Sequence, residues 1–193
     1  MTLQQLNETP GMGDKQQWDF KEFKKEPETV DYKTISNHYK TIFMKRHYDR
    51  DGALYMFFWD NYHRWYLCKE INEDQYIIIG YLQVRDYPHL RNAYQVEVID
   101  VHPKFQKQGL STFMYRSIQT KTNKKIVSDY IQFEDSRKIW TSLAQKDGVK
   151  IYDELTGEKT ENIEIKDFND PSVWGPKLVK KLLLFESPGL KFL

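Results

Sequence analysis

Val96-Glu97-Val98-Ile99-Asp100-Val101 leads through His102 and Pro103 into Gln106-Lys107-Gln108-Gly109-Leu110-Ser111. An alternating apolar strand ends there, and a short turn containing Gly109 opens a helix. Such a junction leaves several backbone N–H groups without intrahelical partners, all aimed at one spot. With the positive end of the helix dipole they form a cradle for a phosphate-bearing ligand. Glycine suits the place because a Cβ would hold an anion away from the amides. The plainer reading of the same residues is an ordinary strand-to-helix turn with a glycine at the helix start.

Outward from this junction, periodicity predicts the other elements. Upstream lie strand candidates Ala53 to Trp59, Arg64 to Glu70 and Gln75 to Arg85, with Ala93 to Val101 as the strand quoted above. Asp60-Asn61 and Asn72-Glu73-Asp74 supply polar turn residues between them, which suits antiparallel hairpins. Downstream follow a helix from about Gln108 to Thr122, a short strand Lys125 to Asp129 and a helix Asp135 to Lys146. Strands Val149 to Asp153 and Asn162 to Asp167 are separated by the Thr156-Gly157 turn. The end of the chain is ambiguous: Pro176 starts a helix, or Leu178 to Glu186 is the last strand.

Nearer the start, Trp18, Phe20 and Phe23 mark a short element, read as an edge strand. Thr29 or Asp31 caps a helix carrying Ile35, Tyr39, Ile42, Phe43 and Met44 on one side and ending before Gly52. Residues 1–14 read as a mobile leader, 15–187 as one domain and 188–193 as a tail. The fold class is α/β (an α+β mixed sheet), with a central, mostly antiparallel sheet that gains a crossover and is flanked by helices.

Composition narrows the function classes. The 193 residues carry Lys plus Arg 29 against Asp plus Glu 28, a net charge of +1, so no bulk field draws nucleic acid. Cys68 is the single cysteine, which excludes an internal disulfide and a cysteine zinc cluster. His38, His47, His63, His89 and His102 are scattered, with no metal-ligand spacing on a helix face. No apolar run approaches the roughly 20 residues that cross a bilayer. These features point to a soluble cytoplasmic protein that binds neither metal nor membrane; oligomeric state is left open.

Val96 to Tyr115 resembles the acyl-CoA-binding core of the GNAT N-acetyltransferases. In that family a strand ends in Val-x-Pro; a Gln or Arg, two variable residues, Gly, a variable residue and Gly or Ala then open the helix. Here the strand ends Val101-His102-Pro103 and the loop reads Gln106-x-x-Gly109-x-Ser111, with Ser111 in place of the final small residue. A later family helix often reads Ala-x-x-Leu-Tyr; this chain has Ser136-x-x-Ile139-Trp140. The likeness covers residues 30–153.

The resemblance implies direct transfer of an acetyl group from acetyl-CoA to an amine of an unidentified acceptor. The amides of Gln108, Gly109, Leu110 and Ser111 would bind the pyrophosphate, with Gln106 opening the motif and Lys107 adding charge. The pantetheine arm would pair with Ile99 and Val101, and a main-chain amide near them would serve the oxyanion. Glu97 stands where many members carry a carboxylate base; otherwise it is a solvent-facing residue between two valines. Strict alternation puts Asp100 on the opposite face from Glu97 and Ile99, to hold an amine or to cap a loop. The usual tyrosine acid is replaced by Trp140, whose indole gives up no proton at neutral pH. Tyr130 or Ser136 takes that role, or the thiolate leaves without help. Ser128 and Asp129, where a strand ends, line the substrate crevice or make a capping turn.

Lys121, Lys124 and Lys125 would meet the adenosine phosphate of CoA or solvate a helix end. Tyr55, Phe57, Trp59, Tyr62, Trp65 and Tyr66 form an aromatic hairpin, read as core, or as a platform for stacking on a base. The layout around Ser128 also resembles acetyltransferase-like proteins of bacteriophages, which would place the chain in the host cytoplasm. Two other functions stay open: a Mom-like enzyme that modifies a DNA base, and a catalytically degenerate fold serving in a virion or binding a host protein.

Overall fold

The computed structural model describes residues 29–31, 42–48, 52–60, 63–130, 133–166, 171–174 and 180–186. The 1–14 leader, the Trp18–Phe23 element, Tyr62, Gln132 and the 188–193 tail lie outside these residues. Strands β1 (Thr29–Asp31) and β2 (Ile42–Tyr48) come first, then β3 (Leu54–Trp59), β4 (Arg64–Asn72), β5 (Gln75–Asp86) and β6 (Ala93–Val101). Helix α1 (Leu110–Thr122), β7 (Lys125–Val127), helix α2 (Glu134–Asp147), β8 (Lys150–Asp153), the single turn α3 (Pro171–Trp174) and β9 (Lys181–Phe185) complete the order. The strands form one sheet ordered β2-β3-β4-β5-β6-β7-β9-β8, with β1 on β5. Among the described strands only β6 and β7 pair in parallel, as the crossover through α1 requires.

Two predicted elements differ. The helix expected to begin at Thr29 or Asp31 and carry Ile42, Phe43 and Met44 is absent at both ends. Thr29–Asp31 pairs with Ile77–Gln75, and Ile42–Tyr48 pairs antiparallel with Trp59–Leu54. Helical spacing lost to a long-range ladder that gives these backbone groups partners, on residues rich in strand formers. The strand expected over Asn162 to Asp167 shrinks to the bridge Val149–Ile163. Within the ambiguous C-terminal run Lys181–Phe185 is strand β9, between β7 and β8, while Pro176 and Leu178 lie outside the described residues.

Alternation along β3 to β6 sorts the core. Tyr55, Phe57, Trp65, Leu67, Ile79, Leu82, Val84, Tyr94 and Val96 pack on one face under Leu110, Met114, Tyr115 and Ile118 of α1 and Trp140 and Leu143 of α2. Met56, Phe58, Tyr66, Ile78 and Tyr81 pack on the other. The described rings of the aromatic hairpin are therefore core: Phe57 and Trp65 stack at 5.3 Å and Trp59 stacks on Trp65 at 5.4 Å. Gly80 faces α1, where a Cβ would lie 3.1 Å from Leu67 Cβ and 3.4 Å from Met114 Sδ, so its absence lets the helix seat on β5.

A bulge interrupts β6. Gln83 pairs with Val98 and Val84 with Val96, leaving Glu97 as the extra residue. Beyond it the alternation resets: Ile99 and Val101 join the helix-covered face and Val98 the other. The expectation that Glu97 and Asp100 lie on opposite faces is thereby corrected. Glu97 reaches Gln83 and Arg85 on the face away from the helices, and the backbone places Asp100 on that same side.

Candidate active site

The loop after β6 is braced before it turns. His102 N–H donates to Ile79 O at 2.8 Å, and Pro103–Phe105 forms a single 3-10 turn. Gln106 Nε2 donates to Val101 O at 2.8 Å, and Gln108 Oε1 accepts from the Tyr55 hydroxyl at 3.1 Å. Lys107 is left-handed (φ 63°), as is Gly109 (φ 76°), the N-cap of α1. No side chain caps the helix, and the amides of Gln108, Gly109, Leu110 and Ser111 find no acceptor among the described residues. A Cβ built on Gly109 meets nothing within 4 Å, so the space before these donors is open. Unsatisfied donors at the positive end of a thirteen-residue helix suit an anion such as a diphosphate.

Beside the loop the sheet splits. β6 pairs with β7 only from Ala93 to Gln95. Past Val127 the chain turns to β9: Ser128 N–H donates to Leu183 O at 2.9 Å and Leu183 N–H to Ser128 Oγ at 3.0 Å. From Val96 to Val101, Ile99 included, β6 has β5 on one edge and no described strand on the other. The wedge leaves an extended backbone edge next to the loop, of the kind that pairs with a strand-like ligand.

On the face away from the helices, polar side chains gather at the mouth of the wedge. Glu97 Oε2 accepts from Gln83 Nε2 at 2.8 Å, and Arg85 Nε lies 3.7 Å from Glu97 Oε1. Arg85 also donates to Gln95 Oε1 through Nε (3.0 Å) and Nη2 (2.6 Å). Asp129 sits within the fields of both Arg85 and Glu97. Partial burial raises its carboxyl above the ordinary aspartate range and Glu97 adds to this, while the Tyr130 N–H (2.7 Å) and Arg85 act the other way.

The sequence profile of the Acetyltransferase (GNAT) family matches residues 32–131, just over half of the chain and inclusive of the loop and the wedge. The chain belongs to this family. Among solved structures it is similar to the diaminobutyrate acetyltransferase EctA from Paenibacillus lautus, in complex with its substrate L-2,4-diaminobutyric acid and coenzyme A. That likeness is at 14% identity and a TM-score of 0.38, over 66% of this chain and 71% of that one. No curated protein matches. The mixed, mostly antiparallel sheet flanked by two helices is the GNAT fold, and acetyltransferases of this family use acetyl-CoA.

In this family member the other predicted site residues divide. Glu97 lies beside Arg85, and Asp129 and Tyr130 stand within reach of the Arg85 charge. Ser128 does not join them, since its hydroxyl ties β7 to β9 and its carbonyl accepts from Gln95 Nε2 at 3.2 Å. Ser136 is half-buried in the first turn of α2, with no hydrogen bond to Glu97 or to residues 106–111. Trp140 is 1% exposed and meets Tyr115 edge-on at 5.5 Å, so the indole is core. Tyr115 is a further group near the site. Burial, then the Asp129 charge, pushes its hydroxyl upward. Gln83, Arg85 and Tyr115 carry no local signal, because β5–β6 pairing brings the first two to Glu97 and the seating of α1 brings Tyr115 within the field of Asp129.

Of the lysines expected near the adenosine phosphate, Lys124 and Lys125 are committed elsewhere in this GNAT chain. Lys124 Nζ meets Asp86 Oδ1 at 2.5 Å and lies 3.8 Å from the centroid of the Tyr94 ring, and Lys125 pairs with Glu186 at 3.6 Å. With Lys121 they stand at the far end of α1, roughly 18 Å from its N-terminus at about 1.5 Å per residue. Among the described residues no group of His, Cys, Asp or Glu could hold a metal ion, and no helix is long and apolar enough to cross a membrane.

Tyr130 donates its hydroxyl to Glu154 Oε1 at 2.6 Å, as Tyr87 does at 3.0 Å; His89 lies 3.2 Å and Lys180 3.8 Å from the same carboxylate. Burial alone would raise the Glu154 carboxyl, whose side chain is 5% exposed. The Tyr130 and Tyr87 hydroxyls and the His89 and Lys180 charges outweigh it and hold the group below the ordinary 4.5. A depressed folded-state value contributes stability above the ordinary value and loses it as pH falls through the folded one. Glu154→Gln should therefore lower the urea midpoint at neutral pH, and the gap from wild type should narrow below about pH 4. A gap that stays constant into acid would remove the ion cluster as its cause.

Proposed function

We propose that this chain moves the acetyl group of acetyl-CoA to an amine of a small molecule or protein by direct transfer. What carries the reading is the conjunction of an uncapped, left-handed loop start at Gly109, an open β6 edge and a bulged carboxylate, Glu97, at the same wedge. The amides of Gln108 to Ser111 would hold the pyrophosphate, with Gln106 bracing the loop and Lys107 beside it. The β6 backbone at Ile99 and Val101 would pair with the pantetheine arm, and an amide there would polarise the carbonyl oxygen. Glu97 would take the proton from the amine, directly or through water. The new N–C bond forms as the C–S bond breaks, and the sulfur leaves as thiolate. Asp129 and Asp100 would hold the incoming cation. Tyr130 would return a proton to sulfur only by releasing Glu154; Ser136 and unaided departure are the other routes. A cytoplasmic setting, the host's for a bacteriophage-encoded chain, goes with this chemistry.

Burial of Tyr55, Phe57, Trp65 and Tyr66 withdraws these four rings, among the described residues, from stacking on a flipped base, which favours amine over DNA chemistry. The test is free-thiol release from acetyl-CoA across a panel of amines, with Glu97→Gln beside wild type. The variant should lose about 10²–10⁴-fold in kcat while binding CoA as before. Tight CoA binding with no thiol released for any amine would make the chain a degenerate member of its family.

A further inference from the structure

We infer that Gln83 is a positioning residue for Glu97, and that the buried Tyr81 hydroxyl sets the orientation of its amide. The inference rests on the proposed role of Glu97 as the base. A carboxylate on a bulge has lost its place in the ladder, and something must aim it. Gln83 Nε2 does so at 2.8 Å from Glu97 Oε2, and Arg85 guards the other oxygen at 3.7 Å.

An ionised carboxylate only accepts hydrogen bonds, so the Gln83 amide must turn its nitrogen to Glu97 and its oxygen away. The oxygen meets the Tyr81 hydroxyl at 2.6 Å. Tyr81 is 2% exposed and its ring packs 5.6 Å from that of Tyr66, so this donor is anchored in the core. Burial pushes the Tyr81 hydroxyl upward, so it keeps its proton to donate. The result is a directional chain, Tyr81 to Gln83 to Glu97, in which each bond strengthens the next. Once Glu97 holds a proton, rotation of the same amide presents oxygen to the carboxylic acid and nitrogen to the phenolic oxygen. One side chain thereby serves both states of the base. The charged and titratable groups on this side among the described residues include Arg85 and Tyr81 from β5, Asp100 from β6 and Asp129 past the end of β7, and the Arg64 and Asp60 charges also act on the Tyr81 hydroxyl.

The experiment uses the full chain with acetyl-CoA and the amine that gives the fastest thiol release. Gln83→Met, which keeps the length of the side chain without its donor, should lower kcat about tenfold, leave the KM for acetyl-CoA unchanged and move the acid limb of the kcat–pH profile up by about one unit. Tyr81→Phe keeps the buried ring and should cost a smaller factor, with no further loss when added to Gln83→Met. A Glu97→Gln variant that loses turnover beside a fully active Gln83→Met with an unmoved acid limb would overturn the inference alone. Additive effects of the two variants would overturn the Tyr81 link. An unaffected Glu97→Gln, or no turnover at all, would remove the base reading and this inference with it.

Discussion

Replacing Gly109 with glutamate is expected to abolish coenzyme A binding while leaving the fold intact. Glycine at φ 76° costs nothing there, whereas an L-residue in that region pays about 1–2 kcal/mol. That strain is local, because no atom lies within 4 Å of the new Cβ. The larger effect is electrostatic. The glutamate carboxylate would stand before the orphan amides of Gln108 to Ser111, satisfy them from within and repel a diphosphate. Charge-assisted hydrogen bonds are worth about 1.5–3 kcal/mol each, so losing even two lowers affinity by more than about a hundredfold. Titration calorimetry with CoA measures it directly. Gly109→Ala carries the strain without the charge and should cost only a few-fold; equal losses in the two variants would point to backbone strain instead. Unchanged affinity in Gly109→Glu would take the loop out of the site.

Trp140→Ala is expected to destabilise the fold by about 3–5 kcal/mol. The indole is 1% exposed and fills the space between α2 and Tyr115 of α1, so truncation leaves a cavity that two helices must close. For a chain of this size, each kcal/mol shifts Tm by about 2–4 °C, so the melting point should fall by roughly 10 °C. A loss below about 1 kcal/mol in urea would mean that the helices repack without it. Trp140→Tyr separates packing from chemistry. A hydroxyl in that buried place reaches the core and not the wedge, so it should bring no gain in turnover. A rise in kcat would show instead that this position faces the reacting sulfur.

Much of the candidate site was legible because its signals are local. Ala93–Val101 appears with the predicted boundaries, and α1 and α2 begin within two residues of expectation. The Gln106–Ser111 loop announces itself through a strand, a proline, a glycine and a helix in sequence. Turn residues at Asn72 to Asp74 separate β4 from β5, and Asn72 Oδ1 accepts from the Gln75 N–H at 3.1 Å as a turn of that kind should.

Local pattern failed where the deciding partner is distant. Ile42–Tyr48 has a helix-compatible spacing and becomes a strand only because β3 offers it an edge. Glu97 was recognisable as a carboxylate on β6, but its face was not. One extra residue in the ladder reverses every side chain beyond it, and no composition rule announces where that residue falls. Gln83 and Arg85 meet it from fourteen and twelve positions away through β5–β6 pairing.

The residues alone settled which segments are strands around the loop and where a helix must begin with unpaired donors, since these depend on alternation, turn chemistry and backbone freedom within a few positions. The tertiary structure alone decided which carboxylate faces which cation, that Trp140 is core and that β6 parts from β7, because pairing register and helix seating are set by long-range contacts that no short window contains.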